Sequence, residues 1–126
     1  MAFFLYIVMD NLIKRDELKE LIDKKGSYVL IDVRQKEELA YGMIPTAHNV
    51  PLHEFEDAFK FSPKEFEARY HFAKPSKEDT IIFHCRTGSR SAQATAYMHS
   101  KGYTHAKNFR GSVNEWSEID QNVRMY

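Results

Sequence analysis

Only one cysteine, Cys85, stands in this chain of 126 residues. That scarcity excludes an internal disulfide, and a free thiol fits a reducing compartment, the cytosol or the mitochondrial matrix. An excess of either charge is also missing, because 18 basic residues are matched by 18 acidic ones. The balance excludes a general nucleic-acid partner and a polybasic membrane contact. Long apolar runs are absent too. Residues 1–9 are apolar but far shorter than the roughly 20 residues of a membrane-spanning helix. They lack the basic lead and small-residue cleavage site of a signal peptide, and the Arg/Ser-rich pattern of a transit peptide. Residues 1–11 therefore read as a first strand or a hydrophobic lead-in. His48, His53, His71, His84, His99 and His105 show no HxxH or HExxH spacing, so a metal site has no support. No GxGxxG or Walker-type loop supports nucleotide binding.

What is present suits one domain with one core, at 43% hydrophobic and 29% charged residues. Strand and helix signals alternate, which predicts an α/β fold with a mostly parallel sheet and helices on both faces. Leu18, Leu21 and Ile22 share one face of a helix over 15–25, and Gly26 ends it. Residues 28–33 form an apolar run ending in an acid, as for a strand buried on both faces. A short helix over 35–41 is stopped by Gly42. A short strand follows at 48–51 and a helical stretch at 52–60. Ser62 caps a further helix, with Pro63 in its first turn and Glu65 completing a capping box. Glu37, Glu38, Glu54, Glu56 and Asp57 read as solvated helix faces. The strand at 80–84 leads into a helix-like stretch at 91–98. The last strand is read at 105–109, before a short helix carrying Trp116 and Ile119.

The chemistry-bearing segment joins that central strand to the helix behind it: Cys85-Arg86-Thr87-Gly88-Ser89-Arg90. A helix N-terminus offers unpaired N–H groups and partial positive charge, which lower a thiol's pKa and hold an anion beside it. Gly88 permits a positive-φ turn whose successive N–H groups form an anion nest. The guanidinium groups of Arg86 and Arg90 disfavour a neutral thiol. His84 precedes the nucleophile, but adjacent strand residues point to opposite faces, so it is expected to turn into the core rather than serve as base. Asp32 and Arg34 end the first strong strand. Ligands bind at the carboxyl ends of strands in open α/β sheets. Asp32 is expected to brace the cysteine loop by accepting from its amides or from Arg90. Arg34 is expected to pair with Glu37 or Glu38, or to face the pocket.

Leu30-Ile31-Asp32-Val33-Arg34, the segment Gly42 to Pro51 and the loop Cys85 to Arg90 together resemble the single-domain rhodaneses, and the insertion from Phe61 to Pro75 resembles the eukaryotic type. Phe109-Arg110-Gly111 with Trp116 resembles the end of that family's pattern. The resemblance spans residues 12–120 and leaves 121–126 as a C-terminal tail. Met43, Thr46 and Ser112 depart from it, standing where His, Gly and Gly are usual, and Lys14 stands where a capping Ser or Thr is common.

The resemblance implies a single rhodanese-like domain around a central five-stranded sheet. It implies a thiosulfate sulfurtransferase without metal or organic cofactor. Cys85 would take the sulfane sulfur as a persulfide and pass it to cyanide, glutathione or thioredoxin. Arg86 and Arg90 would bind the thiosulfate anion, the loop amides would cradle the sulfur, and Thr87 and Ser89 would add hydroxyl donors. Asp32 and Arg34 would support the loop. A protein-specific sulfur carrier with little turnover of free thiosulfate is the alternative. A rhodanese-fold phosphatase or arsenate reductase is disfavoured. That chemistry takes a longer loop, sized for a tetrahedral oxyanion, and here only four residues separate Cys85 from Arg90. A non-catalytic module is disfavoured by the intact Cys85 and both arginines. Zero net charge and a compact domain point to a monomer.

Overall fold

The computed structural model describes residues 11–126. The lead-in over 1–11 therefore lies outside the described residues, except for Asn11. Strands β1 (Val29–Asp32), β2 (His48–Asn49), β3 (Ile81–His84) and β4 (Ala106–Asn108) form one sheet in the order β2-β1-β3-β4, with every neighbouring pair parallel. Four strands, rather than the expected five, are thus found among the described residues. Leu12 makes an isolated parallel bridge to Asn108, so the chain enters along the free edge of β4.

Helices cover both faces: α1 (Arg15–Asp23), α2 (Phe55–Ala58), α3 (Pro63–Tyr70), α4 (Ser89–Ser100) and α5 (Ser112–Trp116). The two-residue side-chain period of the strands sorts the core into halves. Ile31, Ile81, Phe83 and Cys85 pack with Phe55, Phe66, Ala94 and Met98 beneath α2, α3 and α4. Leu30 and Ile82 pack on the other face with Leu18 of α1 and with Val113 and Trp116 of α5. Cys85 and His84 consequently point to opposite faces.

Local signals explain most element ends. Ser62 Oγ accepts the Glu65 N–H at 3.2 Å, and Pro63 opens α3. Lys14 has no side-chain acceptor to offer at the start of α1. Its own N–H donates to Glu17 Oε1 at 3.0 Å instead. Residues 36–41 wind as a tighter 3-10 helix that ends at Gly42, whose φ is 103°. A methyl group built on Gly42 would run into the Asn122 carbonyl, so the chain after α5 returns onto this turn. Two departures from the rhodanese pattern also acquire a structural meaning. Thr46 (φ 72°) and Ser112 (φ 55°) both occupy left-handed backbone, where glycine carries no penalty.

Candidate active site

Strand order reverses between β1 and β3, and open α/β sheets bind ligands outside the carboxyl ends of the strands at such a point. Cys85 follows β3 immediately, and α4 begins three residues beyond Arg86, at Ser89. The sharp return is made by Gly88 at φ 98°. The first turn of α5 fixes the loop from behind. Val113 and Asn114 donate their N–H groups to the carbonyls of Cys85 and Arg86, each at 3.1 Å. Ser112 Oγ accepts the Cys85 N–H at 3.1 Å and donates to the Phe109 carbonyl at 2.8 Å. These bonds offset the strain of a left-handed serine. With its carbonyls held toward α5, the loop turns N–H groups toward the sulfur.

The thiol itself is 1% exposed. Gly88 N–H donates to Sγ at 3.1 Å, and Ser91 Oγ lies 3.5 Å from it. Burial pushes the Cys85 thiol up, but the Ser91 hydroxyl and the N–H groups of Ser91, Gly88 and Thr87 outweigh it and bring the pKa below its ordinary value. Ser91→Ala removes the only side-chain donor among these. The pH profile of Cys85 alkylation by iodoacetamide should have its midpoint below that of free cysteine, and Ser91→Ala should move it upward. An unmoved midpoint would count against the hydroxyl as a donor.

A methyl group built on Gly88 would collide with the Arg110 carbonyl in a backbone conformation already unfavourable to L-residues. Gly88→Ala is therefore expected to lower stability by about 1–3 kcal/mol and to displace the N–H nearest the sulfur. A urea titration with unchanged midpoint, together with unchanged alkylation kinetics, would refute this.

The two loop arginines differ in how they are held. Arg90 is placed differently from the expected donor-binding role. Its Nη1 and Nη2 bond both carboxylate oxygens of Glu38, at 2.7 and 2.9 Å. Glu38 is not a freely solvated residue of a helix face, as expected. The Arg90 bonds hold its carboxyl down to about 2. Arg86 makes no ion pair among the described residues, and its Nε is buried without an acceptor there. Its guanidinium lies over the Tyr126 ring, 4.6 Å from the centroid. Thr87 and Ser89 are exposed, and Gly88 is buried.

Asp32 does not brace the loop through its amides or Arg90. Its register partner is His84, so its side chain falls on the face opposite Cys85. There it accepts Nη2 of Arg34 at 2.7 Å, Nε of Arg34 at 3.0 and 3.1 Å, and the Arg34 N–H at 3.0 Å. Both side chains are fully buried. Arg34 pairs with no glutamate carboxylate. Its remaining donors reach the carbonyls of Gly42 and Glu38 and the Tyr126 hydroxyl. His84 is also fully buried beside Asp32, and burial lowers its pKa.

Sequence reasoning missed Ser91, Ser112, Glu38 and Tyr126. Ser91 had a signal, six residues beyond the cysteine in the first turn of the following helix. Glu38 and Tyr126 had none, since they lie 52 residues before Arg90 and 88 after Glu38.

A parallel α/β domain thus sets a buried cysteine at a helix N-terminus, beside an arginine that pairs with no carboxylate among the described residues. The family pattern of the rhodanese-like domain matches residues 14–119, and the chain belongs to that family. A human relative named thiosulfate:glutathione sulfurtransferase is 44% identical over 103 residues, covering 81% of this chain and 89% of that protein. The mitochondrial thiosulfate sulfurtransferase RDL2 of Saccharomyces cerevisiae is 33% identical over 105 residues, covering 80% of this chain and 68% of its own length. Among solved structures, the human single-domain sulfurtransferase TSTD1 superposes with a TM-score of 0.83 at 40% identity, covering 87% of this chain and 97% of that one. Among the described residues no helix is long and apolar enough to cross a membrane.

Proposed function

We propose that this chain is a sulfurtransferase that moves the sulfane sulfur of thiosulfate to a small thiol through a persulfide on Cys85. The observation that carries this reading is the Gly88 N–H aimed at the buried Cys85 sulfur from 3.1 Å, at the head of α4. A nest closed around one atom suits a sulfur anion.

In the first step the Cys85 thiolate attacks the outer sulfur of thiosulfate. A new S–S bond forms, the bond to the sulfonate sulfur breaks, and sulfite leaves with that bond's electron pair. Arg86 receives the oxygens of the donor and steadies the charge of the departing sulfite. The terminal sulfur of the persulfide carries the negative charge left at Cys85, and the loop N–H groups stabilise it. In the second step a thiolate attacks that terminal sulfur. The acceptor becomes a persulfide and the Cys85 thiolate is restored, with no net oxidation.

The name of the human relative supports glutathione as the acceptor. The name of RDL2 supports the mitochondrial matrix as a location. The cytosol would equally keep the thiol reduced. The test is intact mass spectrometry after incubation with thiosulfate, before and after a reductant, with glutathione added last. One sulfur atom gained, removed by the reductant and by glutathione, is the expected result. A protein that alkylates at Cys85 but gains no sulfur would overturn thiosulfate as donor and favour delivery from a protein persulfide.

A further inference from the structure

We propose that Tyr126 is the positioning residue for the donor anion, its ring holding Arg86 and its hydroxyl fixing the Glu38–Arg90 pair. This rests on reading the Cys85 loop as the donor site. Arg124, Tyr41, Tyr126 and Arg86 form a column. The Arg124 guanidinium is 5.6 Å from the Tyr41 centroid, the two tyrosine rings stack at 4.0 Å and 8°, and Arg86 lies over the far ring at 4.6 Å. The hydroxyl of Tyr126 donates to Glu38 Oε1 at 2.8 Å and accepts Nη1 of Arg34 at 3.2 Å. One phenol thus meets both arginines of the loop, one through its face and the other through Glu38.

The mode of contact separates the arginines' roles. A carboxylate occupies the in-plane N–H fork of a guanidinium, as Glu38 does for Arg90. An aromatic ring engages the flat face and leaves the fork available. Arg86 is therefore immobilised with donors that meet no acceptor among the described residues and can take an oxyanion, and the rotamer entropy of a loose arginine is lost before the donor arrives. The residues carrying the ring are themselves tied down. Arg124 N–H donates to the Tyr41 carbonyl at 2.8 Å, Arg124 Nη2 to the Ala40 carbonyl at 2.9 Å, and Val123 is buried in the core beneath α5. The segment expected to be a tail packs as part of the site.

Two measurements on wild type, Tyr126→Phe, Tyr126→Leu and Tyr41→Leu test the assignment. The first is steady-state turnover with thiosulfate and glutathione. Tyr126→Leu should raise the thiosulfate KM about tenfold. The glutathione KM and kcat should change little, and Tyr126→Phe should restore most of the thiosulfate KM. Tyr41→Leu, which removes the ring behind Tyr126, should shift the same KM in the same direction, and it carries the test if Tyr126→Leu fails to fold. A loss in kcat and both KM values together would overturn the proposal, and a Phe variant as impaired as Leu would overturn the ring's part in it and leave the hydroxyl as the positioning group.

The second measurement needs no turnover: protection of Cys85 from iodoacetamide by sulfite. Weaker protection in Tyr126→Leu would uphold the positioning role, and would do so even where a wild type that does not use thiosulfate refutes the donor. Equal protection in every variant, with normal wild-type turnover, would refute the positioning role and keep the donor.

Discussion

Cys85→Ser is expected to reduce sulfur transfer by roughly a thousandfold or more while leaving the domain folded. Serine is nearly isosteric, so the site that leaves the thiol 1% exposed can accept it without a cavity. The donors at Gly88 and Ser91 lower the pKa of a thiol, but an alcohol begins several pH units higher than a thiol. Oxygen also lacks sulfur's affinity for a sulfane sulfur, so even an ionised serine would form no stable equivalent of the persulfide. Stability should change by less than about 1 kcal/mol, because the serine hydroxyl leaves no cavity and still offers an acceptor to the Gly88 and Ser91 donors. Turnover of thiosulfate with glutathione, read beside a urea titration, separates the two effects. Activity above a few per cent in a folded Cys85→Ser protein would place the chemistry elsewhere.

Asp32→Ala is expected to act in the opposite way, through the fold. It leaves the fully buried Arg34 guanidinium without its carboxylate, and such a loss typically costs about 3–5 kcal/mol. For a domain whose whole stability is roughly 5–15 kcal/mol, that is a large fraction. Arg34 keeps its bonds to the Gly42 and Glu38 carbonyls and to the Tyr126 hydroxyl, but none of these neutralises it. The damage should reach the loop indirectly. A shifted Arg34 disturbs the Tyr126 hydroxyl, and with it Glu38 and Arg90. Asp32→Asn keeps an acceptor oxygen and should be milder than Asp32→Ala. The urea midpoint is the deciding measurement, and an Asp32→Ala protein as stable as wild type would show that the pair contributes nothing net.

The parts of this molecule legible in its sequence are those set by short-range geometry. The alternation along β3 predicts that Cys85 and His84 diverge, and they do, because the period of a strand tolerates no slip. The Ser62-Pro63 start of α3 is written within four residues, and so is the Gly88 turn. The same alternation carried a signal left unused: Asp32 and Arg34, two apart, point the same way and pair there. What escaped was the support of the loop. Ser112 stands where the family pattern has glycine, and nothing local indicates that its hydroxyl takes the Cys85 N–H. Glu38 looks like a solvated acid until the fold brings Arg90 to it. Tyr126 is one of seven tyrosines, with no neighbour in sequence to mark it as different from the others.

The bracing of the cysteine loop by α5 has a consequence for how the protein comes into being. Cys85 leaves the ribosome 27 residues ahead of Ser112, whose hydroxyl takes its N–H. Until α5 docks, the Cys85 and Arg86 carbonyls have no Val113 or Asn114 to hold them. The loop that aims the Gly88 N–H at the sulfur is thus braced only when the end of the domain closes on it, so the newborn chain carries its nucleophile for a time in a loop without that support.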